Sequence, residues 1–179
     1  MLLEGLDLKF KVLVRPDIEE VVPPGMDKLD IPVHLAAYKS EAYTDLLIDN
    51  TILITADTIV WHNNRELGKP RDKEHAISLL KALSGSMHEV VTGVCLRSEK
   101  QFVKFYSLSK VWFRNLSDEE INYYISSYKP FDKAGAYGIQ EWLGYAAIEK
   151  IEGSFYNVMG LPVQTLYSQL TEFIKNEEN

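Results

Sequence analysis

A carboxylate interrupts an apolar stretch in the first third of the chain. Asp57, in "ADTIV", follows the apolar run "TILIT" and precedes Ile59 and Val60. Open α/β sheets bind ligands at the carboxyl ends of their strands, where a carboxylate can accept a proton or hold a metal ion. An acid in this position can also cap the next turn. We predict that Asp57 ends a buried strand, where its carboxylate either takes part in catalysis or caps the next turn. Thr58 beside it adds a hydroxyl group.

A lysine on a stiffened loop is the second candidate. Lys69 lies in "LGKPRD", where Pro70 restricts the backbone. An ammonium group held on such a loop can contact a phosphate, although most lysines are simply solvated at the surface. From the residues alone, both roles stay open for Lys69.

Small residues follow an acid and a base in "DKAGAYGIQ", residues 132–140. The alanines and glycines of this segment leave room for the backbone to approach an anionic ligand and to present amide hydrogens to it. The spacing matches neither GxxxxGK[ST] nor GxGxxG, so glycine spacing alone predicts no nucleotide site. Lys133 is the cation of this segment and a candidate substrate-binding residue.

Metal ligation by nitrogen or sulfur finds little support in the sequence. The single cysteine, Cys95, cannot form a thiolate cluster, and the four histidines lack the spacing of zinc ligands. Carboxylate oxygens suit Mg²⁺ or Mn²⁺, and Asp57 could supply them together with the acidic pair Glu19 and Glu20. No GxSxG motif indicates a serine hydrolase.

Length, charge and cysteine content limit the class of protein. The chain has 179 residues, which suits one domain, and we expect a single domain over residues 1–179. Its formal charge of -7 opposes association with a nucleic-acid polymer or an anionic membrane. One cysteine allows no disulfide within these residues, and no signal peptide or long apolar span is visible. We therefore expect a cytoplasmic protein.

Helices and strands must position these groups, and the apolar pattern predicts both. Helices are predicted within 31–47, 72–84, 117–127 and 161–174, with Asp72 as an N-cap and a capping box from Ser117 to Glu120. Strands are predicted at "KFKVLV", at "NTILITAD", buried on both faces, and as an antiparallel pair at "HEVVTGVCLRS" and "QFVKFYSLSKVWF". This order predicts an α/β or α+β fold with a mixed sheet.

Five segments together carry a resemblance. In order along the chain they are "ADTIV", "LGKPRD", "LLKALSGSMHEVVTGV", "DKAGAYGIQ" and "GSFYNVMGLPV". In this order and at these separations they closely resemble the Maf family of nucleoside triphosphate pyrophosphatases, from about Leu2 to the last helix. The resemblance implies a mixed sheet flanked by helices, as in the related inosine triphosphate pyrophosphatases.

The resemblance also implies an activity. Members of the family hydrolyse a nucleoside triphosphate between its α- and β-phosphates, giving a monophosphate and pyrophosphate, with a divalent cation such as Mg²⁺ or Mn²⁺. Members of the family look like cytoplasmic, often dimeric proteins. We therefore expect a homodimer, and we expect a nucleoside triphosphate to bind to it as the substrate. The family is associated with the cleaning of nucleotide pools and with the arrest of septum formation.

Four residues match positions that the family uses for catalysis and phosphate binding. Asp57 matches the proposed proton acceptor and is a candidate metal ligand. Glu20, in "DIEE", falls at an acidic position and is a candidate second metal ligand or base. Lys39, in "LAAYKSEA", and Lys69, in "GKP", match lysines that face the triphosphate and would neutralise charge on the leaving pyrophosphate.

Two further residues match positions that distinguish substrates. Thr58 and Gln140 correspond to residues that separate the branch acting on dTTP and UTP from the branch acting on 7-methyl-GTP. Threonine and glutamine there favour pyrimidines. Hydrolysis of 7-methyl-GTP is one alternative, and a non-catalytic nucleotide-binding or septum-formation regulator is the other. Metal-dependent release of pyrophosphate separates the enzyme from the regulator.

The start of the sequence departs from the family pattern. The family ordinarily begins with an apolar strand, a Ser-x-Ser-Pro-Arg-Arg turn and a helix, and "LLEGLDLKF" matches the end of that helix. The first strand and the arginine turn are therefore missing from this sequence, and with them a phosphate-binding group. A start assigned at an internal methionine or a natural truncation would explain this, and the consistency of the other site residues favours the first.

Overall fold

The computed structural model describes residues 2–15, 18, 21–48 and 50–177. The chain divides into two compact units. Unit 1 comprises Met1–Asp57, Thr92–Ser107 and Gly160–Asn179, and unit 2 comprises Thr58–Val91 and Leu108–Met159. Each unit has its own hydrophobic core, described below. The expectation of a single domain stays a prediction.

Six α-helices lie within the described residues, and they include all four that the sequence predicts. They are α1 Asp30–Glu41, α2 Lys73–Leu83, α3 Asp118–Tyr128, α4 Trp142–Ala147, α5 Phe155–Val158 and α6 Val163–Glu177. Short 3-10 helices occupy Leu2–Leu6, Thr44–Leu46 and Ala134–Ala136. In the part of the chain that the structure describes, no helix is both long and apolar enough to cross a bilayer.

Five strands form one sheet in the order β2-β1-β3-β4-β5. They are β1 Leu53–His62, β2 Arg65–Glu66, β3 Met87–Arg97, β4 Phe102–Phe113 and β5 Ile148–Glu152. Asn63 and Asn64, both at positive φ (48° and 60°), make the two-residue hairpin that joins β1 to antiparallel β2. Strands β3 and β4 are neighbours joined by residues 98–101, so they run in opposite directions, as predicted. The α/β expectation with a sheet flanked by helices is confirmed.

The core of unit 1 is formed by one face of α6 and by β3. Leu166, Leu170 and Phe173 recur at helical spacing, and each is at most 7% exposed. They pack in one cluster with Val94 and Leu96 of β3. A side-chain hydrogen bond adds to this packing, because the Gln101 amide nitrogen donates to the carbonyl oxygen of Phe173 at 2.7 Å.

The core of unit 2 is built on two capped helices, α2 and α3. The Asp72 side chain accepts a hydrogen bond from the His75 backbone N–H at 2.7 Å, which confirms the predicted N-cap of α2. Ser117 and Glu120 form the predicted capping box at the start of α3. The apolar faces of both helices are buried in the same cluster: Ala76, Leu79, Leu80 and Leu83 from α2, and Ile121, Tyr124 and Ile125 from α3.

The strand predicted at "KFKVLV" is wrong. Residues 9–14 form no strand, and Val12, Leu13 and Val14 are 54%, 56% and 82% exposed. Strand propensity produces a strand only where another backbone edge pairs with it. Instead, the end of this segment is tethered by Arg15, whose backbone N–H donates to the Tyr43 hydroxyl at 2.8 Å.

A glycine in β3 allows α1 to lie directly against the sheet of unit 1. A Cβ atom built on Gly93 would lie 2.2 Å from the carbonyl carbon of Pro32 in the first turn of α1. Any side chain there would collide with backbone, which cannot move aside as a flexible side chain can. Leu35 and Ala36, 4% and 0% exposed, are buried by the same close approach.

We predict that Gly93→Ala destabilises the protein, because α1 must move away from β3 to admit the methyl group. Overpacking of this kind typically lowers the free energy of unfolding by about 1–3 kcal/mol. Urea denaturation measures the change. The matched control is Gly5→Ala, since a Cβ atom on Gly5 meets nothing within 4 Å. Equal stability of the two variants would contradict the predicted contact.

Candidate functional site

An ion pair in unit 1 joins two of the residues that the sequence singles out. The Thr55 hydroxyl donates to the carbonyl oxygen of Ala36 at 2.6 Å and so attaches β1 to α1. Asp57 lies two residues further along β1, on the same face, and Lys39 lies three residues further along α1. The Lys39 ammonium consequently donates to Asp57 Oδ1. Strand and helix periodicity together produce this contact.

The C-terminal end of α1 is fixed to β3 through a buried serine. The Ser40 hydroxyl donates to the carbonyl oxygen of Ala37 at 2.7 Å and accepts from Arg97 Nε at 2.9 Å. The Cys95 thiol lies 3.4 Å from the same hydroxyl, and burial raises the pKa of that thiol. Because Ser40 follows Lys39 directly, these contacts restrict where the lysine side chain begins.

The prediction that Asp57 ends its strand is wrong. Strand β1 continues for five residues to His62, through Ile59 and Val60, which are 1% and 3% exposed. Hairpin pairing of Trp61 and His62 with β2 explains why the strand extends beyond the carboxylate. Asp57 is therefore an acid inside a strand, where its side chain contacts a helix, and it caps no turn.

Asp57 and Lys39 have little contact with solvent. Their side chains are 12% and 23% exposed, respectively. In a partly buried setting a carboxylate and an ammonium interact more strongly than they would in water. The carboxylate can accept a proton or bind a hard cation, and the ammonium can bind a phosphate. This arrangement provides the elements needed for hydrolysis of a phosphate ester or anhydride.

The second acid proposed from the sequence, Glu20, lies outside the described residues. Among the residues that the structure does describe, no group of three or more His, Cys, Asp or Glu side chains could hold a metal ion. Mg²⁺ keeps several waters and is commonly bound through one or two carboxylates plus substrate phosphates. The carboxylate of Asp57 therefore fits a Mg²⁺ or Mn²⁺ ion of that kind, although it cannot form a closed protein cage by itself.

In unit 2, the glycine-rich segment is bonded to the loop that carries Lys69. The Gly135 N–H donates to the carbonyl oxygens of Leu67 and Gly68, at 2.8 and 3.2 Å. Gly135 has a φ of 67°, and a Cβ atom there would lie 3.1 Å from a methyl carbon of Val60. The small residues of "DKAGAYGIQ" thus allow the segment to pack closely on the fold itself.

Lys69 and Lys133 both influence one carboxylate, that of Asp132. The hydrogen bond from Lys133, together with the charges of both lysines, holds the pKa of Asp132 below its ordinary value. The Lys69 side chain belongs to an exposed residue, whereas the Lys133 side chain is 24% exposed. The structure therefore places Lys133 in direct contact with Asp132, whereas Lys69 acts on the same carboxylate only through its charge.

A carboxylate that the sequence analysis missed holds Lys133 from the other side. Glu141 Oε1 lies 3.3 Å from Lys133 Nζ, and Glu141 Oε2 accepts a hydrogen bond from the Tyr124 hydroxyl. Burial works against the charge on Lys133, but Asp132 and Glu141 outweigh it and raise the pKa of the lysine. The sequence does show an acid directly after Gln140, but only the fold shows that its carboxylate turns back to Lys133.

A buried aromatic cluster anchors the middle of the glycine-rich segment. His88 Nε2 lies 2.7 Å from the Tyr137 hydroxyl, and both rings make edge contacts with Phe113 at 5.0 Å. Burial, with a smaller effect of the charge on His62, lowers the pKa of His88 to about 3. His88 is therefore neutral near pH 7, which suits a histidine that is 1% exposed in an apolar core.

The two residues assigned to substrate choice occupy different surroundings within unit 2. Thr58 lies in β1 and is half-buried, whereas Gln140 is exposed. Gln140 stands in a turn closed by a hydrogen bond from the Glu141 N–H to the carbonyl oxygen of Gly138, at 3.1 Å. A glutamine amide presented on such a turn can donate and accept hydrogen bonds at the same time.

Comparison with known proteins shows that nearly the whole chain is similar to the members of one family. A family model described as "Maf-like protein" matches residues 1–173. The chain is 53% identical over 172 residues to the "dTTP/UTP pyrophosphatase" of Parabacteroides distasonis, covering 96% of this chain and 89% of the relative. It is 52% identical over 174 residues to the protein of the same name in Porphyromonas gingivalis, covering 96% and 87%. The corresponding protein of Flavobacterium johnsoniae is 48% identical over 171 residues, covering 96% and 88%.

We predict a measurable energetic coupling between Lys39 and Asp57. In a double-mutant cycle of Lys39→Met and Asp57→Asn, either single change leaves a poorly solvated partner, so the coupling should be about 1–2 kcal/mol. The matched control is the pair of Lys81 and Asp118, which lies at 2.8 Å but is 52% and 67% exposed. That pair should couple by less than about 1 kcal/mol. A coupling for Lys39 and Asp57 no larger than the control would show that the contact is not maintained in solution.

Proposed function

The chain belongs to the Maf-like protein family, and on that basis we propose that it is a nucleoside triphosphate pyrophosphatase that hydrolyses dTTP and UTP. Its products would be the nucleoside monophosphate and pyrophosphate. The observation that carries the proposal is the partly buried ion pair of Lys39 and Asp57, because it provides both a proton acceptor and a phosphate-binding cation. The relatives named dTTP/UTP pyrophosphatase, which match almost the whole chain, support the choice of substrate.

Asp57 is proposed to act as the general base. A water oxygen forms a bond to the α-phosphorus while the bond from that phosphorus to the bridging oxygen breaks. The water proton passes to Asp57, and the bridging oxygen leaves with pyrophosphate. General-base catalysis by a positioned carboxylate contributes about 10²–10⁴-fold to rate. Lys39 keeps the carboxylate in place on β1 and is itself proposed to contact the triphosphate.

Lys69 and Lys133 are proposed to bind the phosphates that leave as pyrophosphate. Charge accumulates on the leaving group in the transition state, and a cation aimed at it stabilises the transition state more than the ground state. Asp132 lies 2.8 Å from Lys133, and together with Glu141 it raises the pKa of that lysine. Lys69 is the more exposed of the two, so its ammonium is the easier one for a ligand to reach.

A divalent cation, Mg²⁺ or Mn²⁺, is proposed as the cofactor, held by Asp57 and Glu20. When bound, it would neutralise phosphate charge and increase the electrophilicity of the α-phosphorus. The oxygen-only chemistry of these side chains supports a hard cation over zinc. Thr58 and Gln140 are proposed to select pyrimidine bases, which makes 7-methyl-GTP a poorer substrate.

Two properties of the protein in the cell follow as proposals. A cytoplasmic location is supported by the nature of the substrate, since nucleoside triphosphates are made and used in that compartment. A homodimer is proposed from the resemblance described above, and light scattering of the purified protein measures it. A role as a non-catalytic regulator is less well supported, because the relatives carry the name of an enzyme.

The proposed function predicts release of pyrophosphate from UTP and dTTP that depends on Mg²⁺ or Mn²⁺. Asp57→Asn should lower the rate by at least about 10²-fold, because an amide cannot accept the proton of the attacking water. The matched control is Asp118→Asn, which removes an exposed acid at the start of α3 and should keep activity. Absence of pyrophosphate release by the wild-type protein would refute the proposed function. Normal turnover by Asp57→Asn would refute only the role of Asp57.

Lys69→Ala should lower kcat/KM for UTP by about 10- to 100-fold, the equivalent of one charge-assisted hydrogen bond. The loss should shrink as ionic strength rises, since salt screens an exposed cation. Steady-state kinetics at two salt concentrations measures both effects. Lys73→Ala, which removes an exposed lysine from the first turn of α2, is the control. If the two variants behave alike, Lys69 is an ordinary surface lysine.

A further inference from the structure

We propose that Tyr124 and Glu141 are positioning residues for base selection, because together they fix the turn of residues 138–141 that presents Gln140. The inference rests on the proposed function and extends it to two residues that contact no reacting atom. It concerns the discrimination between pyrimidine and purine substrates.

Gln140 is the exposed part of an otherwise buried segment. Residues 135–139 are all buried, and Ile139, directly before Gln140, is 4% exposed. The turn that follows is closed by the hydrogen bond from the Glu141 N–H to the carbonyl oxygen of Gly138. A side chain on an exposed turn usually samples several directions. Here the flanking residues leave the backbone beneath Gln140 little freedom.

One hydroxyl group holds both ends of the turn. The Tyr124 oxygen accepts a hydrogen bond from the Gly138 N–H at 3.0 Å and donates its own proton to Glu141 Oε2. Tyr124 is 0% exposed and lies on the buried face of α3, beside Ile121 and Ile125. The core of unit 2 therefore fixes the position of the hydroxyl. The two hydrogen bonds of the hydroxyl fix the position of the turn in the same way.

Two glycines allow close packing around the same turn. A Cβ atom on Gly138 would lie 2.9 Å from the Glu141 carboxyl carbon. A Cβ atom on Gly144, in α4, would lie 1.7 Å from the carbonyl oxygen of Ile139. Any larger residue at Gly144 would collide with backbone, whereas at Gly138 it would displace the Glu141 side chain. The turn is enclosed by α3 on one side and by the backbone of α4 on the other.

The carboxylate of Glu141 also connects the turn to a phosphate-binding cation. Its Oε1 lies 3.3 Å from Lys133 Nζ, while its Oε2 is bound to the tyrosine. Burial and the neighbouring carboxylate raise the pKa of Tyr124, so the phenol keeps the proton that it donates. Gln140, which is assigned to the base, and Lys133, which is assigned to the phosphates, are consequently held by one network of hydrogen bonds and an ion pair.

Removal of the Tyr124 hydroxyl tests the inference. Tyr124→Phe keeps the ring in the core but breaks both hydrogen bonds to the turn. The measured quantity is the ratio of kcat/KM for UTP to kcat/KM for 7-methyl-GTP. Because both substrates carry a triphosphate, any effect transmitted through Lys133 cancels in this ratio. We expect the ratio to fall by about tenfold, the size of effect produced by losing one well-placed hydrogen bond.

The matched control is Tyr128→Phe. Tyr128 stacks on Tyr124 with ring centroids 5.2 Å apart and is 38% exposed, so this variant removes a hydroxyl from the same aromatic pair without touching the turn. A second comparison sets Glu141→Ala against Glu141→Gln. The amide oxygen of glutamine can still accept the tyrosine proton, so Glu141→Gln should keep most of the discrimination that Glu141→Ala loses.

The outcomes separate the inference from the proposed function. Lower discrimination in Tyr124→Phe and Glu141→Ala, but not in Tyr128→Phe, supports the inference. A wild-type enzyme that hydrolyses UTP, with an unchanged ratio in Tyr124→Phe, overturns the inference and leaves the function intact. An equal loss of kcat for both substrates at unchanged KM also overturns it, since that indicates a smaller folded fraction. A wild-type protein that hydrolyses no triphosphate refutes the function, and the inference with it.

Discussion

The close approach of α1 to β3 at Gly93 is the contact on which the chemistry of unit 1 depends. It brings the helix near enough to β1 for Thr55 to bond to the helix backbone and for Lys39 to reach Asp57. A helix held one methyl group further away would lengthen the hydrogen bond from Thr55 to the helix backbone, which is 2.6 Å here. The charged pair is therefore a product of backbone packing, and the strength of the ion pair itself is secondary to it.

In unit 2, neighbouring carboxylates position Lys133. Lys133 is held between Asp132 and Glu141, and the charge of Lys69 also acts on Asp132. The two carboxylates beside Lys133 offset its positive charge, so in the absence of substrate this partly buried ammonium is paired. A triphosphate brings several negative charges at once and can compete for the same ammonium groups.

Buried polar contacts give the core of unit 2 a single arrangement. Tyr124 and Tyr137 each place a hydroxyl at a defined point, one on Gly138 and the other on His88. A purely apolar core would tolerate small shifts of the glycine-rich segment, whereas a buried hydroxyl that loses its partner is penalised by about 1–3 kcal/mol. These contacts make the segment rigid, which a site that distinguishes one base from another requires.

The sequence by itself determined the four longer helices, the three long strands and the family. Caps and apolar spacing act within a few residues, so Asp72, the capping box at Ser117 and the stripe of α6 could be recognised without the fold. Only the tertiary structure decided that "KFKVLV" pairs with no strand and that Asp57 lies inside β1 rather than at its end. It also decided that Glu141 turns back to Lys133. Strand pairing and ion pairing join residues far apart in the chain, so no local pattern encodes them, and they appear only when the packed elements bring the groups within bonding distance.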